Sequence, residues 1–290
     1  MKNVGKRSLT AIPDLEQEKF LRSLNINDYL MDENISVKFK DKFCEWIDGS
    51  TLNTIKNLNI FNMITLTNGS IQIFDHFYLR HYDKRIRFFK GEFMYHQAVL
   101  KNKLNYDFIE DDLLKKNDVF LVSVPFTRTG FIHDKFFDVM EECENKKIPV
   151  LLDFCHLPCS KNVYLDLKEY DCVETLSFSL SKFYHNAEFL RVGVRFQKEK
   201  DFIDDGIDVF NSDGIQMHNR LGIGIGKKII ENYPMDYLWK KYDKTYHYLC
   251  RKYDFKCTDN IIIAICNIDN LRVCVSDLIQ MEYRNESNTV

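Results

Sequence analysis

The apolar positions fall into short β-branched runs separated by stretches with helical spacing. The run NMITLT (62–67) stops at Asn68-Gly69-Ser70, after which Ile71, Phe74, Phe77 and Tyr78 recur on one helix face. The segments 85–89 and 119–124 (VFLVSV) predict two further strands, the second closed by Pro125 and Gly130. Phe136, Phe137, Val139, Met140 and Cys143 mark a helix, and 149–154, 173–178 and 190–196 predict the strands that follow. The first 60 residues read as polar and irregular, apart from one helical stretch at 37–47. Beyond about residue 200 the pattern turns helical and ends in two strand-like runs, 261–266 and 271–275. Strands alternating with amphipathic helices imply crossover connections and a largely parallel sheet covered on both faces. The expected class is α/β, with an N-terminal segment at 1–60, a core domain at 61–200 and a smaller C-terminal unit at 201–290.

Composition narrows the function classes without naming one. The chain has 290 residues, 45% of them hydrophobic, enough to bury a full core. Its 40 basic and 43 acidic residues leave a net charge of −3, which gives no electrostatic reason to expect nucleic acid or an anionic membrane as partner. No apolar run reaches the roughly 18 to 20 residues needed to span a bilayer. The basic opening, residues 1–7, lacks the apolar stretch of a secretory signal. Nine cysteines, an odd number scattered through strand-like and helix-like segments, read as reduced thiols of a cytoplasmic protein.

In open parallel sheets, ligands bind beyond the carboxyl ends of the strands. The residues that follow the strands here are Asn68-Gly69-Ser70, then Pro125 through Gly130, then Asp153 with His156, and finally Ser179 through Lys182. Phosphate-compatible, acidic and amine groups are thereby expected along one edge.

The blocks TNGS (67–70), VPFTRTG (124–130), PVLLDFCH (149–156), SFSLSK (177–182) and LRVGVRF (190–196) follow one another in a specific order. In that order the chain resembles the fold-type I enzymes of pyridoxal 5'-phosphate (PLP), in particular the class I/II aminotransferases, over roughly residues 60–200. The resemblance implies PLP carried as a Schiff base on Lys182, whose released amine shuttles the substrate's α-proton. It places Asp153 opposite the pyridine nitrogen, holding it protonated. Gly69 and Ser70 at a strand-to-helix turn, together with Ser179 and Arg191, would hold the phosphate. Phe93, in GEFMYH (91–96), takes the place of the aromatic stacked on the cofactor ring, with Tyr95 as the alternative platform. Arg272, in NLRVCVSD (270–277), takes that of the arginine gripping the substrate α-carboxylate. Plainer readings stand beside these: a surface cation for Lys182 or Arg272, a helix cap for Asp153 or Ser70, a core aromatic for Phe93.

Two positions depart from the family pattern around the ring hydroxyl: Val124 replaces its Asn and His156 its Tyr. The short C-terminal part implies a reduced small α+β domain. The implied activity is a PLP-dependent aminotransferase acting between a small amino donor (an amino acid or related amine) and a 2-oxo acid, as a homodimer. A lyase or decarboxylase of the same fold, or a catalytically degenerate binding protein, are the alternatives. LGIGIGKK (221–228) lacks the spacing and the preceding strand of a phosphate loop, and reads as starting or interrupting a helix. Cys155, His156 and Cys159 lack a second ligand pair, so no metal is expected. Adjacent Cys155 and His156 face opposite ways on a strand, which argues against a nucleophile–base pair.

Overall fold

The computed structural model describes residues 9–25, 27–30, 32–101, 104–185, 187–201, 205–211 and 218–287; the basic opening segment lies outside the described residues. The central sheet has seven strands: β1 Met63–Thr67, β2 Arg85–Phe88, β3 Tyr106–Phe108, β4 Asp118–Ser123, β5 Val150–Asp153, β6 Val173–Ser179 and β7 Gly193–Gln197. Their spatial order is β1-β7-β6-β5-β4-β2-β3. Only β7 runs antiparallel to its neighbours, so the sheet is mixed and mostly parallel.

Both faces are buried, and the pleat divides each strand between two cores. Val119, Leu121 and Leu151 pack with Phe74, Phe77 and Tyr78 of the helix Ser70–Arg80. Phe120, Val122, Val150 and Leu152 belong to the larger core on the other face. That face is covered by the helices Ile35–Asp48, Phe136–Lys146, Arg220–Asn232 and Tyr237–Lys252. The near-continuous apolar strands are explained by this double coverage.

The chain ends in the helix Tyr237–Lys252, a three-stranded antiparallel sheet (Phe255–Cys257, Ile263–Cys266, Arg272–Cys274) and the helix Ser276–Ser287. This sheet is tied to the segment after β5. The Ile261 N–H and the Trp239 Nε1–H both donate to the Cys159 carbonyl at 2.8 Å. Among the described residues, no helix is long and apolar enough to cross a membrane.

The structure differs from the sequence pattern at several elements. The opening part is more ordered than its polarity suggests: Asp14 caps the helix Leu15–Ser23 by accepting from the Glu16 and Gln17 N–H groups. The strand expected from residue 190 begins at Gly193, because Ala187–Leu190 is helical and Arg191 turns the chain at φ 53°. LGIGIGKK lies within the helix Arg220–Asn232, whose start is capped by the Asn219 side chain on the Gly222 N–H. Two three-residue strands, each with a charged residue at its centre, β3 and Phe255–Cys257, lie at edges of the two sheets.

Candidate active site

The carboxyl ends of β1, β2, β4, β5 and β6 open onto one cavity of about 470 Å³. Because β7 runs the opposite way, its beginning reaches the same edge: Gly193 pairs with Thr67 of β1 and Ser179 of β6. Arg191 therefore arrives beside the β1 turn. Gly69 there has φ 87°, a conformation that favours glycine. A Cβ built on it would lie 3.1 Å from the Arg191 guanidinium. Gly69 precedes the helix Ser70–Arg80, whose first residues, Ser70 and Ile71, line the cavity at the positive end of the helix dipole. The Ser70 hydroxyl is buried without a nitrogen or oxygen partner, next to the Cys155 thiol. Arg191 has no ion pair among the described residues. An unpaired guanidinium, an orphaned hydroxyl and a helix start form a cradle suited to a dianion such as a phosphate.

Lys182 lies in the turn after β6 and its side chain reaches the cavity. Its Nζ donates to the Leu9 carbonyl at 2.7 Å, so the N-terminal segment lies across the same opening. Ser179 also lines the cavity, but its hydroxyl donates to the Val192 carbonyl at 3.2 Å and accepts from the Ser181 N–H.

Asp153 is the last residue of β5 and is 4% exposed. Burial, and then the nearby charge of Glu92, raise its carboxyl to about 7, against the pull of Lys182. His156 is buried with Nδ1 unpartnered among the described residues. Burial, then Lys182 and Arg272, hold its pKa well below the ordinary imidazole value, so the ring is neutral.

Phe93 borders the cavity at 42% exposure. Tyr95 instead donates its hydroxyl to Asp75 at 2.8 Å, on the helix Ser70–Arg80. Of the two aromatics considered, Phe93 is the one at the opening. Arg272 begins the last strand of the C-terminal sheet, and its Nη1 donates to the Thr127 carbonyl at 2.8 Å. The cavity thus brings together Lys182, Asp153, Gly69's neighbour Ser70, Phe93, His156, Ser179, Arg191 and Arg272.

Sequence reasoning missed two charged residues here. Glu92 is buried and accepts from the Ser123 N–H and hydroxyl, each at 2.8 Å, and from the Phe93 N–H at 3.1 Å. It follows the end of β2, so the strand-end signal that found Asp153 also pointed to it. Ser123 is thereby committed to Glu92, and Val124 is buried in the larger core. Arg128 crosses Gly91, whose φ is 99° and where an added Cβ would sit 2.5 Å from the Arg128 Cδ. Arg128 lies in the strand-end segment Pro125 through Gly130, but nothing there assigns it a role.

No protein-family model and no curated protein sequence matches the chain. Solved structures do match in fold. Aspartate aminotransferase from Thermotoga maritima superposes at a TM-score of 0.64 and 11% identity, covering 98% of this chain and 90% of that one. Histidinol-phosphate aminotransferase from Clostridium acetobutylicum gives 0.61 and 14%, covering 98% of each. The PLP-bound C–S lyase from Staphylococcus hominis gives 0.60 and 11%, covering 87% of this chain and 81% of that one. With its seven-stranded mixed sheet and flanking helices, the chain has the fold of the fold-type I, class I/II aminotransferases.

Proposed function

We propose that the chain is a PLP-dependent aminotransferase that moves an amino group between a small amino donor and a 2-oxo acid. One observation carries the reading: an amine (Lys182), a buried carboxyl (Asp153) and a dianion cradle (Ser70, Arg191) open into one cavity. Its volume, about 470 Å³, suits a cofactor-sized ligand. PLP, when bound, supplies an aldehyde for an amine and a ring that withdraws electrons from the adjoining carbon.

The residues present fit that group. The helix start at Ser70 and Arg191 would hold its phosphate, Phe93 would cover a ring face, and Asp153 would hold a proton on the pyridine nitrogen. Asp153 has room to do so because an enclosed carboxylate gains most from an adjacent cation. The neutral His156 would present its unpartnered Nδ1 to the ring hydroxyl, with Val124 unable to assist. Lys182 Nζ would hold the cofactor's aldehyde carbon and, when free, would move the proton at the substrate's α-carbon. Arg272 would hold the α-carboxylate. We read the working form as a cytoplasmic homodimer with the core domain at 61–200 and a reduced small domain after it.

The C–S lyase supports a second reading, because it shares the fold at a TM-score of 0.60, though over less of the chain than the transferases. Elimination on the same cofactor differs from transfer in the bond that the protein orients for cleavage.

Adding PLP to the purified protein should produce a new band at the edge of the visible range, and borohydride should then fix the label on Lys182. An unchanged spectrum, or a label elsewhere, overturns the cofactor reading. An amino donor that leaves the cofactor in its amine form supports transfer; release of ammonia with the cofactor unchanged supports the lyase.

A further inference from the structure

Among the described residues, the cavity holds more basic groups than the cofactor would engage. Lys182, Arg191, Arg128 and Arg272 bring four basic groups, and Asp153 and Glu92 two acidic ones. Glu92 is satisfied internally by Ser123, the Phe93 N–H and the Thr127 hydroxyl. On the reading proposed above, Arg191 faces a phosphate, Asp153 a ring nitrogen, and Lys182 the cofactor aldehyde. Two guanidinium groups are left over.

Those two are neighbours. Arg272 Nη1 bonds the Thr127 carbonyl, one residue before Arg128, so the C-terminal sheet and the β4 loop bring both guanidinium groups to one wall of the cavity. Neither has a carboxylate partner among the described residues. Arg272 is partly enclosed, where an unpaired cation is costly. The Arg128 side chain is laid across Gly91, and that path exists only because residue 91 has no side chain. Both side chains line the cavity.

We propose that Arg128 and Arg272 together form a subsite for two acidic groups, so that the substrate is an amino acid with a second acidic group on its side chain. Arg272 meets the carboxylate beside the reacting carbon, and Arg128 meets the distal acid. A substrate with an apolar side chain leaves Arg128 facing it unpaired, and that penalty produces the selectivity. The inference rests on the PLP reading, which assigns Arg191 and Lys182 to the cofactor.

Isothermal titration of succinate and glutarate against propionate and butyrate, on the PLP-loaded protein, tests the subsite. A charge-assisted bond to Arg128 makes one dicarboxylate bind about tenfold or more tightly than its monocarboxylate counterpart. Arg128→Gln should erase that preference while leaving monocarboxylate affinity unchanged, and Arg272→Gln should weaken both classes. Equal binding of the two classes by the native protein overturns the proposal, as does a preference that survives in Arg128→Gln. The same titrations without PLP, beside the borohydride labelling, separate the two readings. A labelled Lys182 with no dicarboxylate preference rejects the subsite alone. An Arg128-dependent preference without labelling of Lys182 rejects the cofactor reading alone.

Discussion

Asp153 is where the site departs furthest from ordinary side-chain chemistry. Its carboxyl is raised to about 7 by burial first and by Glu92 second. An acid whose folded pKa is raised contributes stability that is fully present below its unfolded pKa. That stability is lost as pH rises toward the folded pKa, here between roughly 4 and 7. Without PLP, Asp153→Asn should therefore be more stable than the native chain at pH 8, by on the order of a few kcal/mol, with the gap narrowing toward pH 5. Denaturant titrations at both pH values check this; a gap independent of pH would show that the carboxyl's charge is not what burial opposes. Several of the residues singled out in the sequence stand, like Asp153, at or just beyond the end of an apolar strand. Lys182 and Ser70 are singled out in that way. Arg128 follows a strand as well, but its path depends on Gly91 of another loop, and a crossing of that kind leaves no local pattern to give it a role.

At the level of elements, the strand–turn–helix unit from β1 through Gly69 to Ser70–Arg80 determines where an anion can sit. Gly69→Ala adds a side chain at φ 87°, and its Cβ would press on the Arg191 guanidinium. We expect a stability loss of about 1 kcal/mol and a PLP dissociation constant raised about tenfold. Thermal melting and PLP titration of the variant measure the two separately. The long buried strands β4, β5 and β6 were legible because both faces are apolar and their runs are continuous. The edge strand β3 (YDF) and the strand Phe255–Cys257 are short and partly polar, so periodicity could not distinguish them from loops. The start of β7 was read too early because its apolar residues continue through Leu190, whereas Arg191 in the left-handed region interrupts the extended path.

Across the molecule, the C-terminal sheet is joined to the segment that carries His156. Asn260, fully buried, donates to the Ser160 hydroxyl at 3.0 Å and accepts from the Ile262 N–H at 3.1 Å. Asn260→Ala removes both and leaves buried partners unmet, at a cost of about 2 kcal/mol. Because the two sheets share these contacts, unfolding followed by circular dichroism and by fluorescence of Trp46 and Trp239 should shift to lower denaturant as one transition. Two separated transitions would show that the sheets are coupled more weakly than the bonds suggest. The overall class and the order of site blocks were legible in the sequence, since both follow from strand periodicity and what terminates each strand. The docking of the last sheet was not, because it depends on single buried polar contacts far apart in the chain.

The pairing of β1 with β7 also bears on how the protein is made. The two strands lie roughly 130 residues apart in sequence, and contacts of that range form late. On the ribosome, Gly69 and Ser70 emerge long before Arg191, so a nascent chain holds the turn without the guanidinium that completes it. The anion cradle is completed by the turn that leads into the sheet's last strand in chain order. A ligand that needs the whole cradle can therefore recognise only chains whose central sheet has closed, and it favours them by mass action.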